Sequence, residues 1–261
     1  IIFLAALLLI RDKKISFQWD SKWIWIGVIS KSASYIFECF AITLGNTYTI
    51  VITTPSQTLF LLLISVIYFK ERLSTKSWLA AGLCLLGTIF ITWNGLPLSV
   101  LLESNHLATI LYLLSGIFAG MFVVCQKKLS DSLEPAKANF TMFFWCSILT
   151  AILVPFNFGY KGTFNLWSVL SLVCLGFITG SSFYLYGIAL KKVSFAFAVI
   201  IVNSCSLFTL LSSWLLFNEP ITIYVISSTV LFLFGIIILN IPQGISLRRL
   251  LWLKPINHEY K

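Results

Sequence analysis

Charge is what this sequence has least of. Only 10% of its 261 residues are Asp, Glu, Lys or Arg, while 59% are hydrophobic. A soluble domain of this size needs a polar surface, and this composition cannot make one. Histidine is nearly absent, with His106 and His258 alone, so no metal site forms with nearby carboxylates. The six cysteines (39, 84, 125, 146, 174 and 205) are scattered with no CxxC pair. They read as small apolar residues, and they exclude a zinc module or a disulfide framework. There is no Gly-rich phosphate loop, which argues against ATP-driven transport by this chain. No cofactor is expected.

What is present is a series of long apolar runs of about 18–25 residues, matching a hydrocarbon core of about 30 Å at 1.5 Å per residue. Helices are expected at 23–44, 46–69, 76–93, 105–126, 137–156, 165–190, 193–217 and 220–240, and residues 1–10 read as the tail of another. The runs lack the two-residue alternation of barrel strands. Helices satisfy their own backbone amides, as lipid requires.

The basic residues orient these spans. Of 18 Lys and Arg, 16 fall in alternate loops: Arg11, Lys13, Lys14 and Lys22; Lys70, Arg72 and Lys76; Lys127, Lys128 and Lys137; Lys191 and Lys192; Arg248, Arg249, Lys254 and Lys261. The opposite loops hold only Lys161, and Lys31 lies inside a span. By the positive-inside rule the basic side is cytoplasmic, the C-terminus included. The expected setting is the bilayer of a bacterial inner (cell) membrane. The basic residues form no single patch, so a nucleic-acid partner is not expected.

The chain also repeats itself. At an offset of 148, "LLLISVIYFKERLSTKSWLAAGLCLLGTIFI" (residues 61–91) lies over "TLLSSWLLFNEPITIYVISSTVLFLFGIIIL" (residues 209–239) without gaps. Glu71 falls on Glu219, Gly87 on Gly235 and, upstream, Ala41 on Ala189. The charge pattern puts Glu71 in a cytoplasmic loop and Glu219 in an external one. The copies are therefore inverted, as in many secondary transporters. The expected division is a first helical repeat at 1–93, an external connector at 94–104, a second repeat at 105–241 and a cytoplasmic tail at 242–261. Within the tail, residues 245–254 read as a short interfacial helix. The partner of helix 105–126 would fall before residue 1, so the expected fold is all-α and integral to the membrane, nine helices seen of ten, in two inverted five-helix repeats.

The pattern "P…F…YFKERLS…G…G" (Pro55, Phe60, Glu71, Gly82, Gly87) and its second copy "LFNEPIT…G" (Glu219, Gly235) resemble the EamA-like branch of the drug/metabolite transporter superfamily. Asn203 stands where Pro55 would repeat, and Val230 where Gly82 would. The resemblance covers nearly the whole chain. It implies ten-helix carriers of amino acids, metabolites, nucleotide-linked compounds or drugs, with a central cavity. Glu71 and Glu219 are expected to sit beside helix N-termini, each just before a helix. Ser74 or Thr75 suits the cap after Glu71, and Pro220 the first turn after Glu219. Small-residue pairs Gly116/Gly120 and Gly176/Gly180 suit close helix packing.

Polar side chains at membrane depth are costly and mark functional positions. Helix 23–44 carries Lys31, Tyr35 and Glu38 on one face. The readings that stand are a charge pair facing neighbouring helices, a Lys31 that snorkels inward, or the wall of a cavity. Helix 46–69 has Thr54 and Gln57 beside Pro55, where a kink would free the carbonyl of Val51. Asn203 and Ser206 occupy the symmetric segment. Ser181, Tyr184 and Tyr186 lie on helix 165–190, with Tyr186 the counterpart of Glu38. These ten residues form the expected substrate site. Glu38 is the only carboxylate inside any expected span, so an amine-bearing solute is expected, an amino acid or an S-adenosylmethionine-like metabolite, with a proton or an exchanged solute as coupling partner. A lipid-modifying membrane enzyme and a non-transporting scaffold are the alternatives. No His/Asp/Glu cluster at one depth favours the first of these.

Overall fold

The computed structural model describes residues 1–44, 53–71, 74–93, 95, 106–152, 165–203, 208, 211–212, 214–215 and 222–240. Its helices are α1 (Ile2–Asp12), α2 (Lys22–Leu44), α3 (Thr53–Ile67), α4 (Thr75–Trp93), α5 (His106–Ser130), α6 (Pro135–Ala151), α7 (Leu166–Lys192), α8 (Phe195–Val202) and α9 (Ile223–Asn240). No strand occurs among the described residues. Helices α2, α5 and α7, of 23, 25 and 27 residues, are long and apolar enough to cross a membrane. The expected kink at Pro55 falls partly on residues outside those described; Pro55 is the third described residue of α3. The interfacial helix at 245–254 also lies outside the described residues.

Local chemistry sets the ends. Ser74 accepts the amide of Ser77 at 3.2 Å and so caps α4, as its position suggests. Pro135 opens α6 at N1, where its missing N–H is harmless. α1 closes on Lys13 in the left-handed region, φ 56°, with the Lys13 amide returning to Leu9 O at 3.1 Å. Ser194 starts α8 and accepts the amide of Phe197 at 3.4 Å.

α5 is the central post. α2 and α3 both pack along it, and α6 packs on α2. Gly116 and Gly120 face α3: a Cβ on Gly116 would fall on Ser56 Oγ and the Thr53 carbonyl, and one on Gly120 would lie 2.6 Å from the Phe60 ring. These two glycines therefore do what their spacing predicts. Gly180 meets Phe3 of α1, whereas among the described residues nothing lies within 4 Å of a Cβ on Gly176.

One core joins α3, α4, α5, α8 and α9 around Leu61, Cys84, Val124, Val199 and Phe232. A second joins α2, α5 and α6 around Ile24, Phe122 and Met142, and a third joins α1 to α6. The outer side of α7 leaves Leu172, Leu175, Phe177 and Leu185 well exposed, which suits lipid better than water.

α4 and α9 form a pair of their own. Trp93, the last residue of α4, packs on Tyr224, the second of α9, with ring centroids 5.3 Å apart. The helices are therefore antiparallel. At the crossing, Cys84 Sγ lies 3.8 Å from Phe232 O, a separation of 148 residues. A Cβ on Gly87 would meet Phe232 Cβ and Ser228 O, both at 3.1 Å. A Cβ on Gly235 would meet Cys84 Sγ at 2.6 Å and Ala80 O at 3.0 Å. Adding 148 to Ala80, Cys84 and Gly87 gives Ser228, Phe232 and Gly235, so the contacts are reciprocal.

Candidate functional site

The polar residues of the spans fall into groups on different sides of α5. On α2, Lys31 Nζ lies 4.3 Å from the centroid of the Tyr35 ring, 5.4 Å from that of Phe122 and 5.6 Å from that of Phe183. Three elements thus supply one aromatic box: α2, α5 and α7. A cation over such faces gains roughly 0.5–2 kcal/mol. Cys146 of α6 is within electrostatic reach of the ammonium.

Glu38 is half-buried one turn beyond Tyr35. Its charge is felt by Lys31, Tyr35 and Tyr112. Among the described residues neither Lys31 nor Glu38 makes an ion pair within 4.0 Å; the ion pairs there all involve Arg11, Asp12, Glu134 and Lys137. Tyr112 is fully buried on α5, and its hydroxyl has no hydrogen-bond partner among the described residues. Ser34 and Ser115 close the same α2–α5 seam at 3.2 Å, Ser115 donating to Ser34 O at 3.0 Å.

The second group joins α3 to α8. Thr58 Oγ1 is 2.9 Å from Asn203 Oδ1 and 2.9 Å from Thr54 O. One hydroxyl proton cannot serve both acceptors, and Asn203 Nδ2 is buried without a partner among the described residues. Turning the Asn203 amide over resolves this: Thr58 donates to Thr54 O and accepts from Asn203 Nδ2. Ser56 donates to Thr53 O at 2.8 Å, while Thr53 Oγ1 is buried with no partner among the described residues. Gln57 is half-buried on the same helix, its backbone against Gly116.

The expected residues of α7 separate. Tyr184 packs with Leu4, Leu8, Ala136 and Phe140 and lies beside Arg11. Tyr186 packs against the core of α3, α5 and α8. Two residues turn about 200° on a helix, so these rings cannot face one ligand. Ser181 donates to Ile178 O at 2.9 Å. The α7 residue that reaches Lys31 is instead Phe183. Ser206 lies outside the described residues, as does Glu219.

A third polar link was not expected. Gln126 Nε2 donates to Asn139 Oδ1 at 2.7 Å, and Asn139 Nδ2 donates to Phe183 O at 2.9 Å, tying α5, α6 and α7 together. Gln126 and Asn139 are nearly fully buried. Both sit near ends of the expected spans, where polar residues usually mean only an interface. The backbone oxygen of Phe183 is thus fixed while its ring joins the aromatic box.

The basic ends of the helices are held by charge. Arg11 pairs with Asp12 and Glu134, and Lys137 reaches Asp12 Oδ2 at 2.8 Å and Glu134 Oε2 at 3.5 Å. The Arg11 guanidinium, then Lys137, pull the Asp12 carboxyl down to about 2. Lys127 donates to Leu190 O in the last turn of α7. Lys128 Nζ stands 4.6 Å over the Tyr68 ring.

Glu71 differs from its expected place. The chain leaves α3 through Lys70 at φ 52°, and the Glu71 amide donates to Ser65 O at 3.0 Å. This six-residue return closes α3 and swings the Glu71 side chain away from α4. Glu71 Oε1 accepts the amide of Phe195 at 2.6 Å, and Oε2 accepts that of Ala196 at 2.9 Å. The carboxylate does sit on a helix N-terminus, but on that of α8 rather than of the helix following it. With Ser194, it serves the first three amides of α8.

The fold has solved relatives. One chain, described as "Crystal structure of protein", superposes with a TM-score of 0.77 at 15% sequence identity, covering 92% of this chain and 83% of its own. No curated protein sequence matches. The model of the EamA-like transporter family matches residues 1–93 and 106–241, leaving out residues 94–105 and 242–261. The chain is therefore an integral membrane protein that belongs to the EamA-like transporter family, within the drug/metabolite transporter superfamily.

Proposed function

We propose that the chain is a secondary transporter that carries a small amine-bearing organic solute across a bacterial cell membrane by alternating access, its C-terminus in the cytoplasm. The observation that carries the substrate reading is Glu38: a half-buried carboxylate inside a membrane span with no ion-pair partner among the described residues. A carboxylate held there at a cost is explained if a bound cation completes it. Tyr35 offers an aromatic face one turn away. An amino acid or an S-adenosylmethionine-like metabolite fits that chemistry.

The moving parts in this reading are two inverted halves, 1–93 and 105–241, joined by 94–104 and followed by a tail at 242–261. The reciprocal, antiparallel contacts of α4 and α9 at an offset of 148 support that division. Such a pair gives two halves a common seam about which to rock. When the site empties, a proton on Glu38 or a second solute takes the place of the first.

The test is uptake by purified protein in sealed vesicles, using labelled amino acids and S-adenosylmethionine. Saturable uptake is expected, falling roughly tenfold or more in Glu38→Gln that elutes as a folded monodisperse species. Wild-type uptake by that variant removes Glu38 from the site. Absence of uptake of any amine-bearing solute by the unaltered protein removes the substrate reading. The same vesicles, checked for chemical change of solute and lipid, separate carriage from catalysis.

A further inference from the structure

We propose that Lys31 is the subsite for an anionic group of the carried solute, in its simplest form a carboxylate; this rests on the transport reading above and narrows the solute to a zwitterion.

Lys31 and Glu38 share one face of α2, seven residues and about 10.5 Å of rise apart. At that distance the two groups meet directly only by a bent route. Here the Tyr35 ring stands beside the ammonium, 4.3 Å from Nζ, and no carboxylate oxygen comes within 4.0 Å among the described residues. Tyr112 of α5 lies within electrostatic reach of Glu38, and its hydroxyl is buried with no partner among the described residues. The α2 face thus presents a cation and an anion held apart by an aromatic ring.

Nor has Lys31 escaped to the interface. Phe122 and Phe183, which flank its Nζ, lie eight and nine residues inside the basic ends of α5 and α7. The ammonium is therefore about 12–14 Å inside that end, at the level of its own Cα, and has not snorkelled. An ammonium has three N–H donors and no acceptor capacity. The rings of the box attract its charge but accept no ordinary hydrogen bond from it. What the box lacks is an oxyanion, and a carboxylate of the solute supplies one. Its amine then meets Glu38, and its apolar body lies on Tyr35.

The test needs no knowledge of the natural solute. In a background with all six cysteines replaced by serine, Tyr35→Cys places a thiol beside Lys31. The probes are two methanethiosulfonates of similar size, one ending in a sulfonate and one in a trimethylammonium. Their rate ratio cancels any effect of Lys31 on the thiol itself. The anionic reagent is expected to react faster by roughly tenfold or more, as a cation focuses anions in a low-dielectric cleft. Lys31→Arg keeps that preference, Lys31→Met abolishes it, and Glu38→Gln increases it, each in protein that elutes as a folded species. Equal rates with Lys31 present, a preference for the cation, or no labelling by either reagent overturns the proposal. Labelling is read without transport, so an anion preference in protein that carries nothing would sink the transport reading and leave the subsite standing.

Discussion

The carboxylate of Glu71 holds the first amide of α8, that of Phe195, at 2.6 Å across 124 residues of chain. Its second oxygen holds Ala196 at 2.9 Å. One side chain in the α3–α4 turn thus completes a helix of the other half of the chain. Glu71→Ala leaves both amides without that acceptor, and the expected loss is about 1.5–3 kcal/mol. Glu71→Gln keeps one acceptor oxygen and should lose less. Thermal unfolding of the purified variants in detergent checks the order: unaltered protein, then Gln, then Ala. Equal midpoints for all three would show that the contact carries no stability.

How Glu71 reaches α8 shows where sequence reading runs out. Composition and run length place the helices, because lipid permits little else. The identity of the partner depends on the left-handed turn at Lys70, a residue with no intrinsic liking for φ 52°. The motif points to a helix N-terminus and does not say which one. Lys31 and Glu38 were legible as costly charges on one face, but the box around Lys31 draws on Phe122 and Phe183, two of 23 phenylalanines that nothing in the sequence distinguishes. Tyr184 and Tyr186 were legible as polar residues of one helix, and their 200° divergence follows from helix geometry alone. Gln126 and Asn139 sit near span ends, where the sequence does not separate a buried link from a wetted one.

Thr58 and Asn203 are the direct bond between the two expected polar midsections, at 2.9 Å. Thr58→Val leaves the buried Asn203 amide with one partner fewer, and a loss of about 1–3 kcal/mol is expected. Asn203→Leu, which removes the other partner, should cost less once Thr58 is already Val. A double-mutant cycle on thermal stability is expected to give a coupling of roughly 0.6–1.7 kcal/mol, the range for hydrogen bonds between membrane helices. Strict additivity would mean that the two side chains do not bond.

Asp12 sits where the apolar run of α1 gives way to the basic loop, between Arg11 and Lys137. Its folded carboxyl lies at about 2, below the ordinary 3.8, chiefly through the Arg11 hydrogen bond. A depressed carboxyl contributes stability that is complete above the unfolded value and is lost as pH falls through the folded one. The stability gap between unaltered protein and Asp12→Asn should therefore be constant from pH 7 to about 5, shrink between about 4 and 2, and vanish below. Asp12 is only half-buried, so the gap should also narrow in high salt. A gap as large at pH 2 as at pH 7 would assign the effect to something other than the charge.

Gly87 and Gly235 make the sharpest paired expectation, because each faces the backbone of the other's helix. A methyl group on Gly87 would meet Ser228 O at 3.1 Å, and one on Gly235 would meet Ala80 O at 3.0 Å. Neither carbonyl can turn aside, since each belongs to a helix. Gly87→Ala and Gly235→Ala are both expected to lose about 1–3 kcal/mol through overpacking. Gly82 lies on the same helix, five residues before Gly87, with nothing among the described residues within 4 Å of its added methyl. Gly82→Ala therefore removes only backbone freedom and should gain about 0.5–1 kcal/mol. Thermal midpoints of the three variants separate a packing role from helix propensity, since propensity alone favours alanine at all three positions. The two damaging changes are also not independent: they push α4 and α9 apart at the same crossing, on either side of Cys84 and Phe232. Once one methyl has opened the seam, the second meets a wider gap. The double variant is therefore expected to lose less than the sum of the singles, and full additivity would contradict a shared crossing.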